Sequence, residues 1–262
     1  SLQISETKSD PKIIEQAAKA FERDKVNLIY AITTSAVVPV KNAASKTPIV
    51  FAVGTDPVLS GLVQSFAKPG GRLTGVQYST TDLTAKRLEI LKEILPRLNR
   101  VLILYNPNNR SSREAAELSR AAAKQLHLQL IDRQAASVDE LRQQLETIKP
   151  KQADAYFYIS DAMVNSHADL VIEMAQLKKL PTMFSEQSAV AMVALASYGQ
   201  NFQEVGRLSA AYVQKIISGA QPRDLRIEIV DKLELVINLK TAKEIGLTIP
   251  PNVLARADKV IK

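Results

Sequence analysis

Short uninterrupted apolar runs recur along the chain, each stopped by polar turn residues and followed by a segment whose apolar residues are three or four apart. The clearest run, Ile49 to Val53, stops at Gly54-Thr55-Asp56-Pro57. A run that is uniform rather than alternating reads as a strand buried on both faces, usually parallel. Asp56 suits the cap of a helix expected over 57–66, and Pro57 suits its first position, where a missing N–H costs nothing. Pro69-Gly70-Gly71 ends that helix, and a further strand is predicted over 73–78. Upstream, Ser9, Asp10 and Pro11 open a helix reaching about residue 24, with Ile14, Ala17, Ala18 and Phe21 on one face. A buried strand over 26–32 and a helix over 35–44 follow it, and residues 2–5 read as a strand before it.

The pattern restarts after Asp82. Leu88, Leu91 and Leu95 mark a helical stripe ended by Pro96. Strands over 100–105, 127–131, 153–159, 181–184 and 193–198 then alternate with helices over 111–126, 138–148 and 162–178. Such alternation gives parallel sheets with helices on both faces. The fold class is therefore α/β, with two doubly wound parallel-sheet lobes, one before about Tyr78 and one after. An amphipathic helix over 201–218 closed by Gly219, a strand over 233–237 and a short helix over 241–246 complete the chain.

At 262 residues the chain accommodates two domains of ordinary size. Its 46% apolar and 23% charged content is that of a globular protein, and no apolar run reaches membrane-spanning length. The formal net charge of +7 invites a nucleic-acid partner. Lys and Arg are nevertheless interspersed with Glu along helical faces, as in AKRLEILKEILPRLNR, the pattern of a solvated basic surface, and no nucleic acid is expected. The lack of cysteine excludes disulfides, thiolate nucleophiles and Cys-based metal sites.

The chain contains no G-x-S-x-G, G-x-G-x-x-G or G-x-x-x-x-G-K-[ST] motif. His127 and His167 belong to no His-rich cluster, and Asp161 and Glu186 follow neighbouring strands without a sign of acid–base work. No catalytic residue, cofactor or metal is expected. Loops at strand ends instead collect groups that hydrogen-bond a small zwitterion. Thr33, Thr34, Ser35 and Asp56 belong to the first lobe; Asn106, Asn108, Asn109, Ser111, Ser160, Asp161 and Glu186 belong to the second. A carboxylate suits helix N-termini and hydroxyls, and an ammonium suits Asp161, Glu186 or Asp56. The hydroxyls and Asp56 equally suit plain capping, so both readings stand. Tyr78 and Tyr198, near the lobe boundaries, suit either packing or an apolar part of a ligand.

An ordered set of motifs points further: TDPV at 55–58, PGG-x-x-TGV at 69–76, YNPNN at 105–109, Ser160-Asp161, SYGQNFQEVG at 197–206 and INLKTAKEIGLTIP at 237–250. The set covers nearly the whole chain. It resembles the ABC-transporter substrate-binding proteins related to tryptophan- and tyrosine-binding lipoproteins. The resemblance implies a type I periplasmic-binding fold. Its lobes would be 1–77 with about 199–227, and 78–198 with about 228–262, joined by a multi-strand hinge. It also implies a small-molecule ligand, an amino acid or related metabolite, held in the cleft between the lobes by hinge closure. An ABC-transporter permease is the implied partner, and the implied location is exported, periplasmic or lipid-anchored. In these terms the chain enters at the family's second strand, with the first β-α unit absent. A sensory or regulatory ligand-binding domain of the same fold is the alternative, and an α/β enzyme is a distant third.

Overall fold

The computed structural model describes residues 2–7, 10–78, 82–149 and 151–262. Ser9, expected at the first helix start, lies outside them. In chain order the elements are α1 (Pro11–Arg23), β1 (Ile29–Ile32), α2 (Thr34–Ala43), β2 (Ile49–Val53), β3 (Leu73–Tyr78), α3 (Thr84–Ile94), β4 (Arg100–Tyr105), α4 (Arg110–Gln125), β5 (Gln129–Gln134), α5 (Val138–Glu146), β6 (Ala155–Phe157), α6 (Ala162–Ser166), α7 (Ala168–Leu177), β7 (Thr182–Phe184), α8 (Gln187–Ala191), β8 (Ala196–Gln200), α9 (Phe202–Ile217), β9 (Glu228–Val230), β10 (Leu233–Asn238), α10 (Leu239–Glu244), α11 (Pro251–Leu254) and β11 (Lys259–Ile261). They fall into two compact units. Unit 1 comprises Ser1–Ser79 and Phe202–Asp231; unit 2 comprises Thr80–Asn201 and Lys232–Lys262.

In unit 1 a parallel sheet runs in the order β1-β2-β3-β9. One face packs Ile29, Ile49, Phe51 and Leu73 against Ile14 and Ala18 of α1 and Val37 and Val40 of α2. On the other face α9 brings Tyr212 and Ile216 onto Val50, and Val205 onto Ala52 and Val76. Strand β2 is buried throughout because both of its faces are covered. The helix α1 forms where the pattern places it: the Asp10 carboxylate accepts from the backbone N–H of Lys12 and Ile13, and Pro11 occupies the first turn.

Three expectations fail in this unit, each for a physical reason. Residues 2–5 form no strand, and Leu2 and Ile4 stand exposed; a strand exists only by pairing, and none of the sheet's strands pairs with them. Strand β1 is half exposed rather than buried, because it is the sheet edge and α9 packs on β2 and β3. No helix follows Pro57. One turn forms, with Ser60 N bonded to Asp56 O, and it stops at Gly61, whose φ is +66°. The backbone then folds back on Pro57 O through the N–H groups of Leu62 and Val63. Leu62 and Val63 supply the apolar cover that a crossover helix would have given.

Unit 2 is built on a sheet in the order β11-β10-β8-β7-β6-β4-β5, parallel except that β10 runs antiparallel to β8. Its two faces carry separate cores. One sets Val101, Ile103 and Phe157 against Leu88 and Leu91 of α3 and Ala115 and Ala122 of α4. The other sets Leu102, Leu104 and Tyr156 against Leu141 of α5 and Val171 and Met174 of α7. Helices on both faces make this a doubly wound sheet. The helix expected over 162–178 is two, α6 and α7, broken at His167, which lies outside helical geometry at φ −128°. Among the described residues no helix is long and apolar enough to cross a membrane.

Candidate functional site

In unit 2 the chain leaves β4 to form β5 on one side and β6 on the other, so the sheet order reverses between β4 and β6. Open α/β sheets bind ligands beyond the carboxyl ends of their strands at such a reversal. The loop after β4 carries Asn106, Asn108, Asn109 and Ser111, and the loop after β6 carries Ser160 and Asp161. The structure joins these two loops. Asn109 Nδ2 donates to Asp161 Oδ2 at 2.8 Å, while Asn109 Oδ1 accepts from Ser111 N at 3.1 Å and so caps α4.

Asp161 is buried and caps α6, accepting from Val164 N at 2.9 Å. Burial pushes its carboxyl above the ordinary range, and bonds from Val164, Asn109, Met163 N and the Ser112 hydroxyl draw it back. Those four donors match the roughly four lone-pair positions of a carboxylate. The Tyr158 hydroxyl closes the same turn, accepting from Asp161 N and donating to Asp161 O, both at 3.1 Å. Asp161 is thus spent on holding the loops together. Asn106 is similarly engaged, its Oδ1 accepting from Asn108 N at 2.9 Å and its own N–H donating to the Ser112 hydroxyl at 3.1 Å. Asn108 is exposed, and Ser160 and Ser111 are partly buried.

Glu186 follows β7, the strand next to β6. It occupies the cap position of α8 but makes no capping bond. Among the described residues its side chain meets the Ser188 hydroxyl at 3.4 Å and the Asn165 side chain from α6. Burial raises its carboxyl above the ordinary value; Asn165, Ser188 and the charge of Arg87 pull the other way. Tyr198, expected near the ligand, sits within β8 opposite Leu235 and packs on the α3 face of the sheet.

Unit 1 presents hydroxyls. Thr33 is the cap residue of α2 but makes no side-chain capping bond; its hydroxyl lies 3.0 Å from that of Ser35. Its φ of 75° with ψ of 145° is a conformation that non-glycine residues adopt only under strain. The Thr34 hydroxyl bonds that of Thr55 at 2.7 Å, and Thr55 bonds Ser60 at 3.1 Å, which ties the ends of β1 and β2 together. Asp56 Oδ1 accepts from Val58 N and Leu59 N at 2.7 and 2.9 Å, a cap on its own turn. Tyr78 is buried edge-on against Phe202, ring centroids 5.1 Å apart, in the core beneath α9.

Four contributors were hidden from sequence reasoning: Thr55 and Ser60 in the hydroxyl chain, Asn165 beside Glu186, and Arg87. The last corrects the solvated-surface reading of the AKRLEILKEIL stretch, since Arg87 is only 1% exposed. The usable signal was its spacing, four and seven residues before Leu91 and Ile94 on the buried stripe of α3.

The sequence family described as ABC transporter substrate binding protein matches residues 1–261. The chain belongs to this family. Its members are substrate-binding proteins rather than enzymes. This substrate-binding protein is 27% identical to the tyrosine-binding protein of Clostridioides difficile (strain R20291), over 94% of the chain and 70% of that protein. Among solved structures it resembles a conserved domain protein from Vibrio cholerae, with a TM-score of 0.85 at 29% identity, covering 96% of this chain and 84% of that one. It also resembles an ABC domain from Streptococcus pneumonia in complex with L-Trp, with a TM-score of 0.83 at 27% identity, covering 96% and 86%. The fold is that of the type I periplasmic binding proteins.

Proposed function

We propose that this protein is the solute-binding component of an ABC importer and that its solute is an α-amino acid with an aromatic side chain. On this reading it is exported and delivers the solute to a membrane permease. Unit 1 has a hydroxyl set at the end of β1 and β2, suited to a carboxylate; unit 2 has an acidic group suited to an ammonium. The observation that carries the assignment is the contrast between the two acids of unit 2. Asp161 is saturated by four donors, whereas Glu186 sits at a strand end with no capping bond, so Glu186 is the group left to accept an ammonium. The aromatic class is supported by the tyrosine-binding relative and the L-Trp complex.

The test is calorimetric titration with L-tryptophan, L-tyrosine and indole-3-propionate, which lacks the ammonium. A charge-assisted hydrogen bond worth about 1.5–3 kcal/mol corresponds to roughly ten- to hundredfold in affinity. Glu186→Gln is expected to lose that factor for the amino acids and to leave indole-3-propionate unchanged. Binding of L-tryptophan by Glu186→Gln at wild-type affinity would remove Glu186 from the site. Absence of binding to any of the twenty amino acids would refute the ligand class.

A further inference from the structure

Glu186 begins a short path, α8 and the turn after it, that returns the chain from β7 to β8. Buried polar side chains from elsewhere in unit 2 pin that path. Asn238, at the end of β10, donates from Nδ2 to Val190 O at 3.2 Å. The Thr241 hydroxyl, on α10, donates to Val193 O at 3.0 Å. The Thr182 hydroxyl of β7 accepts from Leu195 N at 2.9 Å, and Asn238 N donates to Leu195 O at 2.9 Å. Where the path starts, Gly199 of β8 lies against Ser185: a Cβ on Gly199 would stand 2.1 Å from Ser185 O. Glu186 itself is tied to α8, since Ala189 N donates to Glu186 O at 3.3 Å and the Ser188 hydroxyl lies 3.4 Å from its carboxylate. We propose that Asn238 and Thr241 are positioning residues for ligand binding: they fix α8, and through it the place of the Glu186 carboxylate that accepts the ligand's ammonium.

The inference rests on the ligand reading above and names what holds its acidic group in place. Asn238 and Thr241 are no more than 5% exposed. Burying such groups costs free energy unless they are bonded, and an apolar residue would cover α8 without that cost. Bonded polar groups add a fixed geometry that apolar cover lacks. Capping α10 requires only an acceptor, and Asn238 Oδ1 supplies it to Thr241 N at 3.0 Å. The amide donor of Asn238 is surplus to that task and goes to α8. The path so held is strained. Val193 has a φ of 82°, a region that a β-branched residue enters only when its surroundings impose it. Released from Thr241, the turn can relax toward an ordinary conformation and carry α8 and Glu186 with it.

The test compares wild type with Thr241→Val, which keeps the shape and loses the donor, and Thr241→Ser, which keeps the donor. L-tryptophan and indole-3-propionate are titrated by calorimetry. Thr241→Val is expected to lose about tenfold in affinity for L-tryptophan, the weaker end of a charge-assisted bond, and nothing for indole-3-propionate. Thr241→Ser should bind as wild type does. In a Glu186→Gln background Thr241→Val should cause no further loss, because both changes remove one interaction. Equal losses for both ligands, or an undiminished loss in the Glu186→Gln background, overturn the proposal, since a general loosening of unit 2 would not single out the ammonium. So does a folded Thr241→Val protein that binds L-tryptophan as wild type does. If Thr241→Val does not fold, Asn238→Ser, which keeps a cap for α10 and loses the donor to Val190 O, carries the same expectations. Amide hydrogen exchange in the ligand-free protein gives an answer independent of the ligand. Thr241→Val should speed exchange at Ala189, Met192, Val193 and Ala194, whose N–H groups bond within the path, and leave β4 and β6 unchanged. If wild-type protein binds neither L-tryptophan nor L-tyrosine, the ligand reading falls. Faster exchange at those four amides then still establishes the clasp on Glu186, and unchanged exchange overturns it.

Discussion

Gly75 tests the packing of unit 1 most directly. It pairs with Phe51 in the middle of the sheet, where β2 and β3 are both interior strands. A Cβ placed on Gly75 would lie 2.0 Å from Phe51 O and 2.7 Å from Phe51 N, on a residue whose φ is +156°. Ordinary contact begins above 3 Å, so the strands would have to part by about 1 Å. Neighbouring strands are held roughly 4.8 Å apart by their hydrogen bonds. Parting them weakens at least two ladder bonds whose groups are cut off from water, at about 1–3 kcal/mol each. Gly75→Ala should therefore cost about 2–5 kcal/mol, a large share of a typical folding stability of about 5–15 kcal/mol. Gly206 in α9 is the matched control, because nothing lies within 4 Å of its Cβ position. There the same substitution should stabilise by about 0.5–1 kcal/mol through helix propensity alone. Urea unfolding followed by residue-resolved hydrogen exchange in β2 and β3 reads both effects, so that unit 1 is measured without assuming one transition for the whole chain. A Gly75→Ala protein within 0.5 kcal/mol of wild type would refute the close approach of β2 and β3.

Two further outcomes follow from side chains that tie loops together. Glu22 accepts from the backbone N–H of Ser45, Lys46 and Thr47, and these bonds lower its pKa from 4.5 to about 2. Its contribution is therefore fully present above about pH 4.5 and is lost as pH falls toward 2. Glu22→Gln should flatten the acid limb of the stability curve in that window, and an unchanged limb in pH-dependent melting would count against the loop clasp. Asp161→Ala leaves the Asn109 amide and the N–H groups of Met163 and Val164 without their acceptor. A loss of about 3 kcal/mol is expected in denaturant unfolding, whereas a loss of L-tryptophan affinity at unchanged stability would return Asp161 to direct ligand contact.

Much of the architecture was legible because a uniform apolar run of five or six residues has hardly any stable place except the interior of a covered sheet. Ile49–Val53 and Val101 to Tyr105 form strands where such runs placed them, and Leu73–Tyr78, a mixed segment, forms the strand expected beside them. The errors arise where local signals compete with partners distant in sequence. Asp56-Pro57 is a sound helix start, but Gly61 and the return to Pro57 O give the segment a tighter path. Strand β1 has the composition of a buried strand, and only the position of α9 leaves Tyr30 and Ile32 exposed. At the site, polar residues at strand ends were visible, but their allegiances were not. That Asn109 is committed to Asp161, 52 positions away, cannot be seen in either loop. Arg87 was misassigned because its charge was weighed more heavily than its place on the α3 stripe.

Unit 1 is not contiguous. Its sheet receives β9, and one apolar face receives α9, only from residues 202–231. A ribosome adding about 5–20 residues per second needs on the order of ten seconds to make the intervening segment. During that interval Val50, Ala52 and Val76 have no α9 to pack against, while the parallel strands β4 to β8 of unit 2 are being made. Unit 2 in turn receives β10 and β11 only from residues 232–262, so each unit waits on a segment made after most of the other. The earlier-made part of unit 1 stays open until its returning segment has been synthesised, a state in which a chain can still be threaded through a narrow pore.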